Sequence, residues 1–177
     1  VLLKYVGLNP ILVHGGGPQS TELANALGVP TRMVGGRRVT DKQTLDVTTM
    51  VLNGTVNTRI LAACRDLHLP AVGISGVDAG LIKAHKRPPV QVEGHAGGPV
   101  DFGFVGDIDS VDTDVVRAQL ENGMVPIVSP LSADENGTVA VASHPSGTSA
   151  PTRTAPCSIS TPTRWPPRWP RRCAPPS

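Results

Sequence analysis

The sequence predicts an α/β protein with a mainly parallel sheet, because short apolar runs, Gly-rich turns and helix-like stretches alternate along the chain. The apolar run 11–13 leads into a glycine triplet and then into a helix that opens at Pro18. A helix-like stretch over 42–67 is followed by a second apolar run at 71–76, which again ends in a Gly/Ser turn. Strands joined in this way pair in parallel, so both runs are expected in one sheet.

The later segments continue the pattern. Three short strands are predicted to form a hairpin-like excursion over the sheet, at 81–84, 90–92 and 102–106. A helix capped by Ser110 or Asp112 follows, and Asn122-Gly123 ends it. The run 125–131 is predicted to be a further strand with a loop at its carboxyl end.

Composition divides the chain into two parts. Residues 1–142 mix Val, Leu and Ile with Gly and paired charges, as globular domains do. The stretch 151–177 has no Asp or Glu but holds eight of the eighteen Pro, both Trp and five Arg. Such a stretch has no apolar period and cannot pack a core, so 143–177 is predicted to be a disordered tail. The formal charge of +2 comes from this tail.

Several classes of protein are disfavoured. The chain has no CxxC pair and no His/Cys cluster with zinc-ligand spacing, so no metal site is predicted. Neither a P-loop nor a G-x-G-x-x-G motif follows the first strand. Without a basic leader or a run of about 18 apolar residues, a cytoplasmic protein with no membrane partner is expected. A tail rich in Arg and Trp is typical of nucleic-acid binding. No nucleic-acid partner is expected, however, because a shifted reading frame, described below, accounts for the same composition.

The segment His14–Gln19 is a candidate anion site. Ligands of open α/β sheets lie beyond the carboxyl ends of the strands, where Gly-rich turns and helix N-termini offer N–H groups. A tight strand-to-helix turn also needs glycine without any ligand, so the triplet alone leaves both interpretations open.

The segment Gly36–Asp41 adds a guanidinium that can bind a carboxylate through two hydrogen bonds. It lies just before a helix that Thr40 or Asp41 is predicted to cap. One arginine is expected to bind and the other to be solvated. Farther along, Asn53-Gly54 interrupts the helical stretch and predicts a kink or packing site.

Taken in order, these blocks resemble the acetylglutamate kinases of the amino-acid kinase family. The matching blocks cover most of residues 1–137 and read VHGGGPQ, GGRRVTD, MVLNGTVN, AVGISGVDAGLI, DFGFVGDI and ENGMVPIVSPL. The resemblance implies a three-layer α/β/α sandwich with a mainly parallel sheet, incomplete at both ends. Residues 1–142 would be the lobe that binds N-acetyl-L-glutamate, the missing half would bind ATP with Mg²⁺, and the full-length protein would be a homo-oligomer.

The resemblance also implies roles for particular residues. By motif position, Gly16 and Gly17 would donate backbone N–H bonds to the substrate, and Arg38 would hold its α-carboxylate. Kinases of this kind transfer a phosphoryl group from ATP to the side-chain carboxylate, giving N-acetyl-glutamyl 5-phosphate in arginine biosynthesis, and lysines neutralise the transferring oxygens.

One family lysine should precede Val1, and a second, with its orienting Asp, should follow Leu131. No catalytic residue is therefore assigned, and the chain as written is expected to be inactive. A non-catalytic sensor that binds acetylglutamate or arginine is the alternative.

The tail offers a reason for the missing motif. Trp has the single codon TGG, so each of the two Trp-Pro pairs fixes the bases TGG-CC, and reading from the third base of each codon gives GCC, alanine. With permitted codons, 160–177 then reads Asn-Ala-Asp followed by an Ala-rich helix, which resembles the absent family motif. We hypothesise a one-base slip near Ala150, and a gene sequence without such a slip would contradict it.

Overall fold

The computed structural model describes residues 2–143. The disordered-tail prediction and the reading-frame hypothesis therefore concern residues that lie, apart from Ser143, outside the described part of the chain. Within 2–143 the α-helices are α1 (Leu2–Tyr5), α2 (Gly17–Ala26), α3 (Lys42–Thr49), α4 (Asn57–Asp66) and α5 (Asp114–Glu121). The strands are β1 (Leu12–Val13), β2 (Arg32–Val34), β3 (Arg37–Val39), β4 (Ala71–Ser75), β5 (Ile82–Lys86), β6 (Val105–Val111), β7 (Val125–Ser129), β8 (Leu131–Ala133) and β9 (Val139–Ser143).

Three strands form the parallel sheet, in the order β1-β7-β4. Leu12 is in register with Ile127, and Ala71 with Val125. All five residues of β7 are buried, since it has a strand on each side and α4 and α5 pack against it. The predicted α/β class and its parallel sheet are confirmed.

The remaining strands form two further units. Strands β2 and β3 are an antiparallel hairpin, and β5, β6, β9 and β8 close into a small barrel. Parallel pairs join β6 to β9 and β5 to β8, whereas β5 with β6 and β8 with β9 are antiparallel. The predicted hairpin-like excursion is thus part of a closed unit, which removes the open strand edges that a free hairpin would leave.

Two predictions in this region are wrong. No strand forms over 90–92; Val90 makes a single bridge with Val100, because Pro88 and Pro89 just before it have no N–H to donate to a ladder. The apolar side chains of this loop instead join a cluster around Phe102. The strand predicted at 102–106 begins at Val105 and runs to Val111, so Ser110 lies in β6 and does not cap α5.

Asp112 is not the N-cap of α5 either: the N-cap is Thr113, whose side chain makes no capping hydrogen bond. Asp112 lies one residue earlier and accepts a hydrogen bond from the backbone N–H of Asp114 at 3.0 Å. The cap predicted for α3 is confirmed. Asp41 is the N-cap of α3 and accepts from the backbone N–H of Thr44 at 2.8 Å. This bond satisfies one of the helix's unpaired donors.

The Asp41 cap predicts a pH-dependent stability. Hydrogen bonds from Thr44 lower the pKa of Asp41, so the ionised form stabilises the fold above the unfolded value of about 4, and this contribution is lost as the pH falls through the folded pKa. We expect Asp41→Ala to lower the free energy of unfolding by about 1 kcal/mol at pH 7 and to have little effect at pH 2. Urea titrations at both pH values measure this. Asp46→Ala, which removes an exposed pair with Lys42, is the control and should change stability by less than about 0.5 kcal/mol.

A π-helical segment, Met50–Val56, joins α3 to α4 without a break. Its wider turn falls on Asn53-Gly54, as the interruption of the helical pattern predicts. The hydroxyl of Ser129 donates to Oδ1 of Asn53 at 2.5 Å. The segment therefore ties the long helix to the carboxyl end of β7.

Candidate functional site

A cavity of about 430 Å³ lies where the glycine turn, the β2–β3 hairpin, the long helix and the barrel meet. This volume is in the range of small-molecule sites. Residues from each of these units line it, among them Gly15, Gly16, Gly17, Arg37, Arg38, Thr48, Leu52, Arg87, Phe102 and Pro130. The cavity lies next to the N-terminus of α2, where unpaired N–H groups and the positive end of the helix dipole favour an anion.

The three glycines of the turn have different roles. A Cβ on Gly16 would lie 2.9 Å from Cδ2 of Leu52 and 3.4 Å from Cγ2 of Val56. A side chain at position 16 would therefore have to displace the end of the Leu52 side chain. A Cβ on Gly15 or Gly17 would meet nothing within 4 Å, so at those positions a side chain would occupy space open to a ligand.

Arg38 lies directly against the glycine turn. Its Nη2 donates to the carbonyl oxygen of Gly17 at 2.9 Å and to Oγ1 of Thr21 at 2.5 Å. Burial lowers the pKa of the guanidinium, which nevertheless stays charged at neutral pH. The structure thus brings Gly16, Gly17 and Arg38 together around one cavity, as the motif positions imply. Arg37 is exposed and also borders the cavity.

A buried polar network supports the turn from behind. Nδ2 of Asn57 donates to the carbonyl oxygen of Ile127 and to Nε2 of His14, both at 3.2 Å. Because a carbonyl only accepts, this nitrogen is the amide, so Nε2 of His14 accepts and the ring proton is on Nδ1. Nδ1 lies 3.0 Å from the carbonyl oxygen of Gly15 and donates to it. In a trans peptide the N–H of Gly16 then points away from the ring.

Sequence reasoning missed this network. His14 was treated only as part of the turn, and the helical stretch around Asn57 only as a packing element. A polar amide inside an apolar helical stretch was the available signal, since buried amides are normally hydrogen-bonded.

Asn57→Ala is expected to lower the free energy of unfolding by about 2 kcal/mol, because it leaves Nε2 of His14 buried without its donor and removes a hydrogen bond to the carbonyl of Ile127. Chemical denaturation measures this directly. Asn122, which is exposed and donates to the carbonyl of Ala118, is the control: Asn122→Ala should cost less than about 1 kcal/mol. Equal losses in the two variants would contradict a special role for the buried amide.

A second arginine at the cavity is neutralised. Nε and Nη2 of Arg87 donate to Oδ1 of Asp107 at 2.9 and 2.6 Å. The two side chains are only 5% and 14% exposed. Paired strands β5 and β6 place them together. We therefore assign the binding of a negatively charged ligand to Arg38 rather than to Arg87.

Neither a membrane span nor a metal cluster is present in the described residues. Within 2–143 no helix is long and apolar enough to cross a bilayer. The same residues contain no group of three or more His, Cys, Asp or Glu that could hold a metal ion. Mg²⁺ is accordingly assigned to no described residue.

Two solved structures resemble this chain, one in fold alone and one at higher sequence identity. The smu.665 protein from Streptococcus mutans UA159 superposes with a TM-score of 0.65 over 77% of this chain and 52% of that one, at 22% identity. N-acetylglutamate synthase from Neisseria gonorrhoeae, solved with coenzyme A and N-acetyl-glutamate, superposes with a TM-score of 0.60 at 29% identity. That match covers 80% of this chain and 30% of the synthase.

Comparison with curated sequences shows closer relatives. Acetylglutamate kinase from Myxococcus xanthus (strain DK1622) is 50% identical over 141 residues, which cover 78% of this chain and 46% of that protein. The chain spans about half the length of the curated relatives it matches. The profile of the amino acid kinase family matches residues 1–147. Since this match takes in most of the chain and the fold agrees with it, the chain belongs to the amino acid kinase family.

Proposed function

We propose that this chain is the acetylglutamate-binding part of an acetylglutamate kinase. The observation that carries the proposal is the position of Arg38: its guanidinium is hydrogen-bonded to the glycine turn at the edge of a cavity that would suit a small anion. The name of the Myxococcus xanthus relative, at 50% identity, supports this choice of substrate.

The geometry suits a molecule with two carboxylates. Both described hydrogen bonds of Arg38 use Nη2, which leaves the N–H groups on Nε and Nη1 as further donors for a carboxylate. We assign the α-carboxylate of N-acetyl-L-glutamate to these donors. The N–H groups of Gly16 and Gly17, at the positive end of α2, would bind the other anionic end of the substrate.

The activity of the whole protein is also part of the proposal. It would phosphorylate the side-chain carboxylate of N-acetyl-L-glutamate in arginine biosynthesis, with ATP and Mg²⁺ as co-substrate, as a cytoplasmic homo-oligomer. The names of the curated relatives support the kinase activity and its two substrates. The phosphoryl-transfer lysines are assigned to no residue of 2–143.

Calorimetry on the 177-residue chain tests the proposal. N-acetyl-L-glutamate should bind, and L-glutamate, which carries an ammonium in place of the neutral amide, should bind at least about tenfold more weakly. Absence of N-acetyl-L-glutamate binding by a folded chain would overturn the proposal. Binding of L-arginine in its place would favour the non-catalytic sensor.

The lobe boundary at 142 and the reading-frame hypothesis for the tail belong to the same proposal. Sequencing the gene across the codon of Ala150 tests the reading-frame hypothesis. A one-base slip there should restore an Asn-x-Asn-Ala-Asp motif. An uninterrupted frame would make the Arg/Trp tail a genuine segment and would contradict the hypothesis.

A further inference from the structure

The charge of Arg38 lies at an unfavourable place in the fold. Its Nη2 donates to the carbonyl oxygen of Gly17, the first residue of α2, so the guanidinium is next to the positive end of that helix. The helix dipole favours anions at this end and therefore disfavours a cation. Within residues 2–143, no ion pair neutralises Arg38. In this part of the chain the guanidinium is thus held at the cavity by hydrogen bonds and not by an opposite charge.

Thr21 provides one of these hydrogen bonds. Its Oγ1 accepts from Nη2 of Arg38 at 2.5 Å and donates to the carbonyl oxygen of Gly17 at 3.1 Å. Because a guanidinium only donates, the hydroxyl proton points to Gly17 and a lone pair faces Arg38. Nη2 also donates to Gly17, so the guanidinium, the hydroxyl and the carbonyl form a closed ring of three hydrogen bonds.

The helix places this hydroxyl where Arg38 can reach it. Thr21 lies four residues after Gly17 in α2, and threonine hydroxyls in helices often bond to the carbonyl four residues earlier. This bond holds Oγ1 over the first turn of the helix. Thr21 does not itself border the cavity, so it acts on a ligand only through Arg38 or the glycine turn.

The two acceptors together fix the orientation of the guanidinium. Both N–H bonds of Nη2 lie in the guanidinium plane, so two acceptors at different positions determine that plane. With the carbonyl of Gly17 alone, the group could turn about a single hydrogen bond. The hydroxyl of Thr21 therefore limits the directions in which the donors on Nε and Nη1 of Arg38 can point.

We propose that Thr21 is a positioning residue, whose hydroxyl holds the guanidinium of Arg38 in the orientation that receives the α-carboxylate of an N-acylated glutamate. This inference rests on the proposed function and adds to it the side chain that orients its main cation. Without the hydroxyl, Arg38 keeps its charge but can turn from the positive end of α2 toward water. Binding must then order the side chain again, which lowers the affinity.

Calorimetric titration of the full chain with N-acetyl-L-glutamate tests this inference. Thr21→Val keeps the branched shape without the hydroxyl and should weaken binding about fivefold. Thr21→Ser keeps the hydroxyl and should retain the affinity within about twofold. Thr58→Val is the matched control: Thr58 is an exposed threonine of α4 that does not border the cavity, and its replacement should leave the affinity unchanged.

A double-mutant cycle with Arg38 distinguishes positioning from a structural role. In the Arg38→Met background, Thr21→Val should change the affinity by less than about twofold, because the side chain that it positions is gone. Titrations followed by NMR of the ligand reach the millimolar dissociation constants of such variants. A fivefold loss that persists without Arg38 would overturn the inference. So would a melting temperature of ligand-free Thr21→Val that falls well below that of Thr58→Val.

Failure of this inference and failure of the proposed function give different results. If the parent chain binds N-acetyl-L-glutamate and Thr21→Val binds it as tightly, Thr21 does not position Arg38, and the proposed function stands without it. If Thr21→Ser loses as much affinity as Thr21→Val, the hydroxyl is not the group responsible, and the inference is wrong. If the folded parent chain does not bind N-acetyl-L-glutamate, the proposed function is overturned, and this inference with it.

Discussion

Arg38→Met should weaken N-acetyl-L-glutamate binding by about 100-fold or more. The substitution removes the guanidinium donors that we assign to the α-carboxylate, and two charge-assisted hydrogen bonds at about 1.5–3 kcal/mol each correspond to at least this factor. It also removes the donor to Gly17 and Thr21, so the glycine turn loses a contact that holds it. Calorimetry with N-acetyl-L-glutamate gives the change, and circular dichroism confirms that the variant is folded.

Arg37→Met is the matched control, because it removes the same charge from the preceding residue of β3. Arg37 is exposed, and an exposed charge is screened by water and salt, so the expected loss is below about threefold. Arg38→Lys restores the charge without the planar fork and should recover only part of the affinity. Equal losses in the Arg37 and Arg38 variants would show a general electrostatic effect and contradict a directed contact.

Gly103→Ala should lower the free energy of unfolding by about 3–4 kcal/mol. Two effects add: Gly103 has φ of +73°, which is strained for residues with a side chain, and a Cβ would collide with the carbonyl oxygen of Thr40. That carbonyl also accepts from the N–H of Phe104 at 2.7 Å. The substitution therefore breaks the connection between β3, which carries Arg38, and the beginning of the barrel.

Gly137→Ala separates the two effects. Gly137 has φ of +79°, but a Cβ there would meet nothing within 4 Å. Only the cost of the positive φ applies to Gly137→Ala, so urea titration should show that its free energy of unfolding falls by about 1 kcal/mol. If the two glycine variants lose the same stability, the contact with Thr40 contributes nothing, and the prediction for Gly103 is wrong.

Much of the site followed from local sequence. An apolar run that ends in glycines predicts a strand, a turn and a helix from neighbouring residues alone, and the Asp41 cap needs only the spacing to Thr44. Topology then limits where the turn can lie, because the carboxyl ends of parallel strands meet at one edge of the sheet. Arg38 lies close to Gly17, as expected if both residues bind one substrate. That expectation came from the resemblance to acetylglutamate kinases and not from the local sequence.

The rest depends on contacts between residues far apart in the chain. His14 and Asn57 are joined across 43 positions, and Arg87 and Asp107 across 20. No local pattern identifies such partners. The barrel was missed for the same reason: no local pattern in β5 or β9 indicates that these strands close a barrel, and the loop 90–102 packs its valines around Phe102 without forming a strand.

The π-helical segment has a consequence for how this helix can change during evolution. The i→i+5 ladder of a π-helix holds about one more residue per turn than the i→i+4 ladder of an α-helix, so Met50–Val56 could lose one residue and return to α-geometry while the residues after it keep their faces. A return to α-geometry at unchanged length would instead turn everything after the segment by about 100° around the axis. Asn57 would then face away from His14, and Val56 would no longer keep its present relation to Gly16. Substitutions that restore ordinary helical hydrogen bonding in this stretch should therefore be inherited only together with the deletion of one residue.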